Sequence, residues 1–343
     1  MTTAEMTAPS RPFGPSPSRR AGSIRRTSTI DTRWPEGMGE PMIMRGEARD
    51  LVTRANEGAH LTLFRDWMEI RASAGREILA IETSRSSDAA QQLVGSRGGG
   101  YLRGEIARLL PDEHIGRTPL HLLLDDFSGA SLVAGWAWSR WKPADWNARI
   151  GEARRVGGRN GKMEGICTGF RPGSSALTQD GSAKDNQNTT RVPPLTRPDD
   201  TLGWHELATQ TGVGMRRARR IDVWLDEVIQ IDVGFQDSAT APDGGDRIAI
   251  HEYHVTATAD PQSFEVLTLR SDPRILPFPE CPSASANIGR LVGKDLRTFR
   301  LEVLEQLPGT LGCTHLNDVL RSMADVPHLA QQLGGALSEA AGR

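Results

Sequence analysis

Arg25-Arg26-Thr27-Ser28-Thr29-Ile30-Asp31 returns 191 residues later as Arg216-Arg217-Ala218-Arg219-Arg220-Ile221-Asp222, with the Arg-Arg and Ile-Asp positions kept. Three further pieces recur in the same order. Leu93-Val94-Gly95 reappears as Leu291-Val292-Gly293, Leu110-Pro111 as Leu307-Pro308, and Gly116-x-Thr118-x-Leu120 as Gly312-x-Thr314-x-Leu316. Their offsets of 198, 197 and 196 fit one register with small insertions. Self-similarity at a nearly constant period is the mark of a repeated structural unit. The two copies differ in chemistry. The second holds Cys281, Cys313 and His315 where the first holds Thr83, Arg117 and Pro119.

Outward from these anchors, strands are expected near 24–34, 40–51, 60–72 and 76–84. Residues 60–72 alternate apolar and polar side chains, as a half-buried strand does. Helices are expected near 100–110 and 119–134. The second copy repeats the plan, with strands near 217–225, 227–237, 247–259 and 264–271. Its helices are expected near 294–306, 313–324 and 327–340, with Asp295 capping the first. Strands that precede helices, rather than alternating with them, predict an α+β class with antiparallel sheets covered on one face. The expected organisation is a disordered tail (1–22), a first unit (23–141), an irregular linker (142–212), a second unit (213–330) and a C-terminal helix end (331–343). Each unit is expected to hold a small sheet of about four strands followed by two or three helices.

The 343 residues carry 41 basic and 43 acidic side chains, a net charge of −2. So balanced a chain has no general field for nucleic acid or an anionic membrane. The arginine clusters at Arg19, Arg20, Arg25 and Arg26 and at Arg216, Arg217, Arg219 and Arg220 are expected as solvated flanks. Three cysteines build no disulfide framework and leave at least one free thiol, which suits a reducing cytoplasm. The opening residues lack the apolar core of a secretory signal. The longest apolar stretch, Leu120 to Trp138, is broken by Asp125-Asp126 and spans no membrane.

The string Leu307-Pro308-Gly309-Thr310-Leu311-Gly312-Cys313-Thr314-His315-Leu316 combines with Pro277-Phe278-Pro279-Glu280-Cys281-Pro282, Leu291-Val292-Gly293 and Arg219-Arg220-Ile221-Asp222. Together they resemble the bacterial family called domain of unknown function 2889. The linker segment Gly165-Ile166-Cys167-Thr168-Gly169-Phe170 and the run Leu132 to Trp141 resemble its longer, actinobacterial-type members. The resemblance implies a soluble bacterial protein and brings no activity.

Cys313 follows Gly312 at the expected start of a helix, where unpaired backbone N–H groups and the helix dipole favour thiolate. Cys281, Cys313 and His315 would make a Cys₂His set for a zinc or iron ion with one open position. The same residues also read as small buried hydrophobes with a capping histidine, or as a metal-free Cys–His nucleophile pair. In His251-Glu252-Tyr253-His254, period-two geometry puts His251 and Tyr253 on one face and Glu252 and His254 on the other. Either Glu252 or His254 would serve as base for a metal-assisted reaction. Asp222, like Asp31, is expected to pair with neighbouring arginines, and Asp232 to face water. Trp136, Trp138, Trp141 and Trp146 read either as a core joining the copies or as a pocket wall. The function expected is a metal-assisted or thiol-dependent hydrolase or lyase acting on a small organic or aromatic molecule. The alternative is a non-catalytic metal, iron–sulfur or ligand-binding module.

Overall fold

The computed structural model describes residues 7–55, 59–141, 162–184 and 190–341. Strands β1 (Ser23–Arg33), β2 (Met42–Thr53), β3 (His60–Ala72) and β4 (Ile78–Thr83) form an antiparallel meander. After a short strand β5 (Thr190–Val192), the strands β6 (Gly214–Leu225), β7 (Ile229–Thr240), β8 (Arg247–Ala259) and β9 (Val266–Ile275) form another. Alternation explains the pairing. In β7, Ile229, Ile231, Val233 and Phe235 are buried, while the residues between them are half-buried.

The expectation of two small sheets is corrected: β1 pairs antiparallel with β6, so all nine strands make one sheet, ordered β4-β3-β2-β1-β6-β7-β8 with β5 and β9 both on β8. The seam explains the merger. Cα partners across it are Arg25 with Asp222 and Asp31 with Arg216. Each pair is a two-pronged guanidinium–carboxylate contact, with bonds of 2.5 and 2.8 Å in the first and 2.6 Å twice in the second. The motif at Arg25–Asp31 is thus partnered across the seam by its recurrence at Arg216–Asp222.

Helices α1 (Ser87–Gln91), α2 (Gly100–Leu109), α3 (Pro111–Ile115), α4 (Pro119–Val133) and α5 (Trp136–Arg140) follow the first meander. A 3-10 helix at Cys281–Leu291, then α6 (Phe299–Gln306), α7 (Thr314–Ser322) and α8 (Val326–Ala341), follow the second. Asp295 does cap the turn leading into α6, accepting from Arg297 N–H at 2.8 Å. One apolar core lies under the first set of helices and a larger one under the second.

Apart from the exposed Arg20, the arginine clusters are not solvated flanks. Arg25, Arg26, Arg216, Arg217, Arg219 and Arg220 are all buried in the two central strands. On the helix face Arg26, Arg103, Arg217, Arg219, Arg300 and Arg321 interleave with Asp50, Asp125, Asp126, Asp237, Asp318 and Asp325 in one continuous ion-pair network. Six charges of each sign leave the network neutral. That balance is what makes its burial tolerable, because an unpaired buried charge costs several kcal/mol.

The opposite face is covered by chain expected to be tail and linker. Residues 10–22 are no free tail. Ser10 bridges to Ile275, Arg19 binds Asp200 at 2.8 Å, and Ser16 Oγ accepts from the Trp204 indole at 2.8 Å. Gly203 and Ala208 carbonyls accept from Arg25 and Arg216. His205 bridges the hydroxyls of Thr27 and Thr29 through its two ring nitrogens, at 2.9 and 2.8 Å.

Trp136 and Trp138 lie in one short helix. Trp136 and Trp141 pack with Trp34 and Val213 around Val133, Ala137, Met215, Ala239 and Ile250. That cluster joins residues of both meanders, as the core reading expected. Trp146 and Gly157–Gly161 lie outside the described residues.

Candidate functional site

The second meander brings Asp237, His251 and His315 together. Asp237 and His251 are Cα partners in β7 and β8, and the register shifts between Asp237 and Ser238. Such a bulge re-aims side chains. His315 is the second residue of α7, which the N-terminal turn at Cys313 directs onto β8. The His251 and His315 rings stack, with centroids 3.4 Å apart and planes 21° from parallel. Asp237 Oδ2 lies 3.4 Å from His251 Nδ1 and 3.8 Å from His315 Nε2.

One ligand atom from each of the three residues falls within 4.8 Å of the others, and among the described residues no other set of three His, Cys, Asp or Glu does so. His251 Nδ1 and His315 Nε2 are buried, and Asp237 Oδ2 stands off from them at 3.4 and 3.8 Å without well-aligned hydrogen-bond geometry. Burial pushes both imidazoles below their usual range, His315 strongly so and further disfavoured by His251. Both are therefore neutral and can offer a lone pair. Asp237 is ionised well below the ordinary carboxylate range, because the charge of Arg217 overcomes the burial that would raise it. Arg217 forks onto it, Nε to Oδ1 at 2.9 Å and Nη2 to Oδ2 at 3.0 Å. A carboxylate accepts at about four lone-pair positions, so two remain. Two imidazoles and one carboxylate suit a divalent ion such as Fe²⁺ or Mn²⁺. The buried, unpartnered ring nitrogens fit that group.

The first meander carries the same frame without the imidazoles. Asp50 faces Phe64 across a bulge between Asp50 and Leu51, and Arg26 forks onto Asp50 at 2.7 and 2.6 Å. Phe64 thus stands where β8 has His251.

The cysteines expected to share a ligand with His315 go elsewhere. Cys313 caps α7, and its Sγ receives the Tyr253 hydroxyl at 3.4 Å, while the His315 ring turns toward His251. Burial also overrides the helix terminus. The Cys313 thiol is pushed up even though the N–H groups of His315 and Leu316 favour its thiolate. Cys281 is raised well above the ordinary thiol range and Cys167 to about 11, both by burial. All three are free and buried.

Glu252 and His254 lie on the opposite face of β8, as alternation expected. Glu252 accepts from the Phe13 N–H at 2.6 Å, and burial raises its carboxyl. His254 Nε2 meets Asp232 Oδ2 at 2.8 Å under the Phe13 ring, whose centroid is 4.5 Å away. Asp232 does not face open water. It is largely covered and also binds Arg220. Phe13, Glu252 and His254, with Arg220, Trp204 and Gln236, line a cavity of about 30 Å³, large enough for water but not for a substrate. The sheet separates Glu252 and His254 from Asp237, so neither serves as base at that centre.

Sequence reasoning missed Asp237. Asp50 and Asp237 hold the same place in β2 and β7, an equivalence that the strand pairing reveals. Residues 215–328 match the family described as Protein of unknown function (DUF2889). The resemblance to that family is shown over this stretch. The matched segment contains Asp237, His251, Cys281, Cys313 and His315, while Cys167 and the first meander lie outside it. No curated protein and no solved structure matches the chain. Among the described residues no helix is long and apolar enough to cross a membrane.

Proposed function

We propose that the second meander is a metal-dependent catalytic unit in which Asp237, His251 and His315 hold one divalent transition-metal ion. The observation that carries this reading is the pair of neutral, buried, unpartnered imidazole nitrogens converging on one ionised carboxylate. Three protein ligands leave positions open on an ion of this class. The reaction class is then metal-assisted hydrolysis or lysis of a small organic molecule, the ion polarising a carbonyl or activating water. Arg217 orients the carboxylate, and His251 and His315 supply nitrogen donors that need no deprotonation. A thiol nucleophile is disfavoured, because burial favours the protonated Cys313 thiol and its Sγ is engaged by the Tyr253 hydroxyl.

We read the first meander as a copy of the same unit that lost its imidazoles at Phe64 and Pro119 and became scaffold. The sheet order mirrored about β1 and β6, the matching bulges and the matching Arg–Asp forks support that duplication. Free thiols suit work in the cytoplasm.

A second reading, a metal centre without catalysis, draws on burial. Cavities of about 30 and 260 Å³ lie elsewhere on the protein, and neither is lined by Asp237, His251 or His315. Elemental analysis of the chain purified without chelator tests both readings. The proposal expects about one iron or manganese ion per chain, reduced at least tenfold in H251F and H315F. Metal content unchanged in both variants would sink it. Activity toward esters, amides or carbon–oxygen lyase substrates that is lost with the ion separates the catalytic reading from the storage one.

A further inference from the structure

All three cysteines of the chain, drawn from three separate segments, converge beside Tyr253. Cys167 comes from the loop before β5, Cys281 opens the 3-10 helix after β9, and Cys313 caps α7. The loop is fastened to both other segments. Thr168 N–H donates to the Gly312 carbonyl at 2.8 Å, next to Cys313, and Thr168 Oγ1 bonds Ser283 Oγ at 2.8 Å, two residues past Cys281. Asn287 Nδ2 closes the third side, donating to the Leu311 carbonyl at 2.8 Å. Gly169 shows how closely the sulfurs gather. A Cβ built there would stand 2.7 Å from Cys281 Sγ and 3.8 Å from Cys167 Sγ. The Tyr253 hydroxyl reaches Cys313 Sγ at 3.4 Å.

We propose that Cys167, Cys281 and Cys313 form a second metal site, separate from the Asp237 centre, for a thiophilic divalent d¹⁰ cation of the zinc class. Zinc–sulfur bonds of about 2.3 Å place sulfurs about 3.8 Å apart. The three sulfurs are not yet within 4.8 Å of one another as a set, and each side chain has one torsion with which to close the gap. Binding breaks three S–H bonds, forms three S–metal bonds and releases three protons to solvent. Charge selects the ion. Three thiolates around a divalent cation leave −1 in a buried space, whereas a monovalent one leaves −2, which costs more to desolvate. The Tyr253 hydroxyl, already bonded to Cys313 Sγ, is an oxygen available for a fourth position. The site pins the loop at Cys167 to the second meander.

The test titrates reduced, metal-free full-length protein with Cd²⁺ and reads the sulfur-to-cadmium charge-transfer absorption. The expected result is saturation at about one equivalent, suppression by prior Zn²⁺, and at least tenfold weaker binding in C167S and in C281S. H251F should keep the band, since the Asp237 centre contributes no sulfur. A wild type without the band overturns the proposal whatever the variants do, and so does a band that survives in both serine variants.

Discussion

His251 and His315 show how much one residue's surroundings decide. A histidine in water titrates near 6.5, but burial holds these two neutral and leaves a lone pair for a ligand. The same physics acts on His121 and His205, whose ring pKa burial drives to about 3. Both bind a proton in the unfolded chain at a pH where the folded protein binds none. Their stabilising contribution is present above about 6.5 and is lost as pH falls toward 3. Acidification from neutrality should therefore lower the unfolding free energy by up to about 1.4 kcal/mol per pH unit for each histidine. Asp232, lowered to about 2, adds its share only below 3.8. Denaturant midpoints measured between about pH 7 and 4 check this, and H205Q should flatten the slope. A profile flat over that range would contradict the burial of neutral imidazoles. At this scale the sequence was half legible. The period-two split of His251 from His254 is plain in the spelling, whereas Asp237 draws its meaning from Arg217 and a bulge that only the folded strands reveal.

Elements place these residues, and α4 does so through a glycine. Gly129 lies against Arg217 and Asp318, and a Cβ there would collide with both the guanidinium and the carboxylate. In an open helix Gly→Ala stabilises by about 1 kcal/mol. G129A should instead destabilise by roughly 2–4 kcal/mol, because it wedges apart a buried ion pair. Gly104 in α2 faces open space, so G104A should stabilise by about 0.5–1 kcal/mol. Opposite signs for the two variants in chemical denaturation check the account, and a stabilising G129A would refute it. The strands and main helices were readable from period-two and helical patterning to within a few residues. The 3-10 helix at Cys281–Leu291 was not, since a Pro, Ser and Ala run gives no apolar period. The same limit hid the covering role of residues 10–22, whose contacts are polar and long-range.

Across the whole molecule, the repeated Arg-Arg motif does two jobs that alternation divides between faces. One arginine of each pair, Arg25 or Arg216, zips the seam on the covered face. The other, Arg26 or Arg217, forks onto Asp50 or Asp237 under the helices. Basic runs in a sequence usually read as solvated charge, and no local signal says that carboxylates from distant strands and helices will meet them. The recurring motifs were legible, but not that the two meanders would share one sheet. R217M should cost about 3–5 kcal/mol, by leaving the buried Asp237 without its arginine, as thermal or denaturant unfolding would show.

The centre at Asp237 is tested most directly by the ligand sphere of one equivalent of Mn²⁺, an ion that avoids thiols, observed by X-ray absorption on the full-length protein. The account predicts a first shell of nitrogen and oxygen only, with imidazole scattering that disappears in H251F. Sulfur in that shell, or a Mn²⁺ spectrum identical to that of the free aqueous ion, would contradict it.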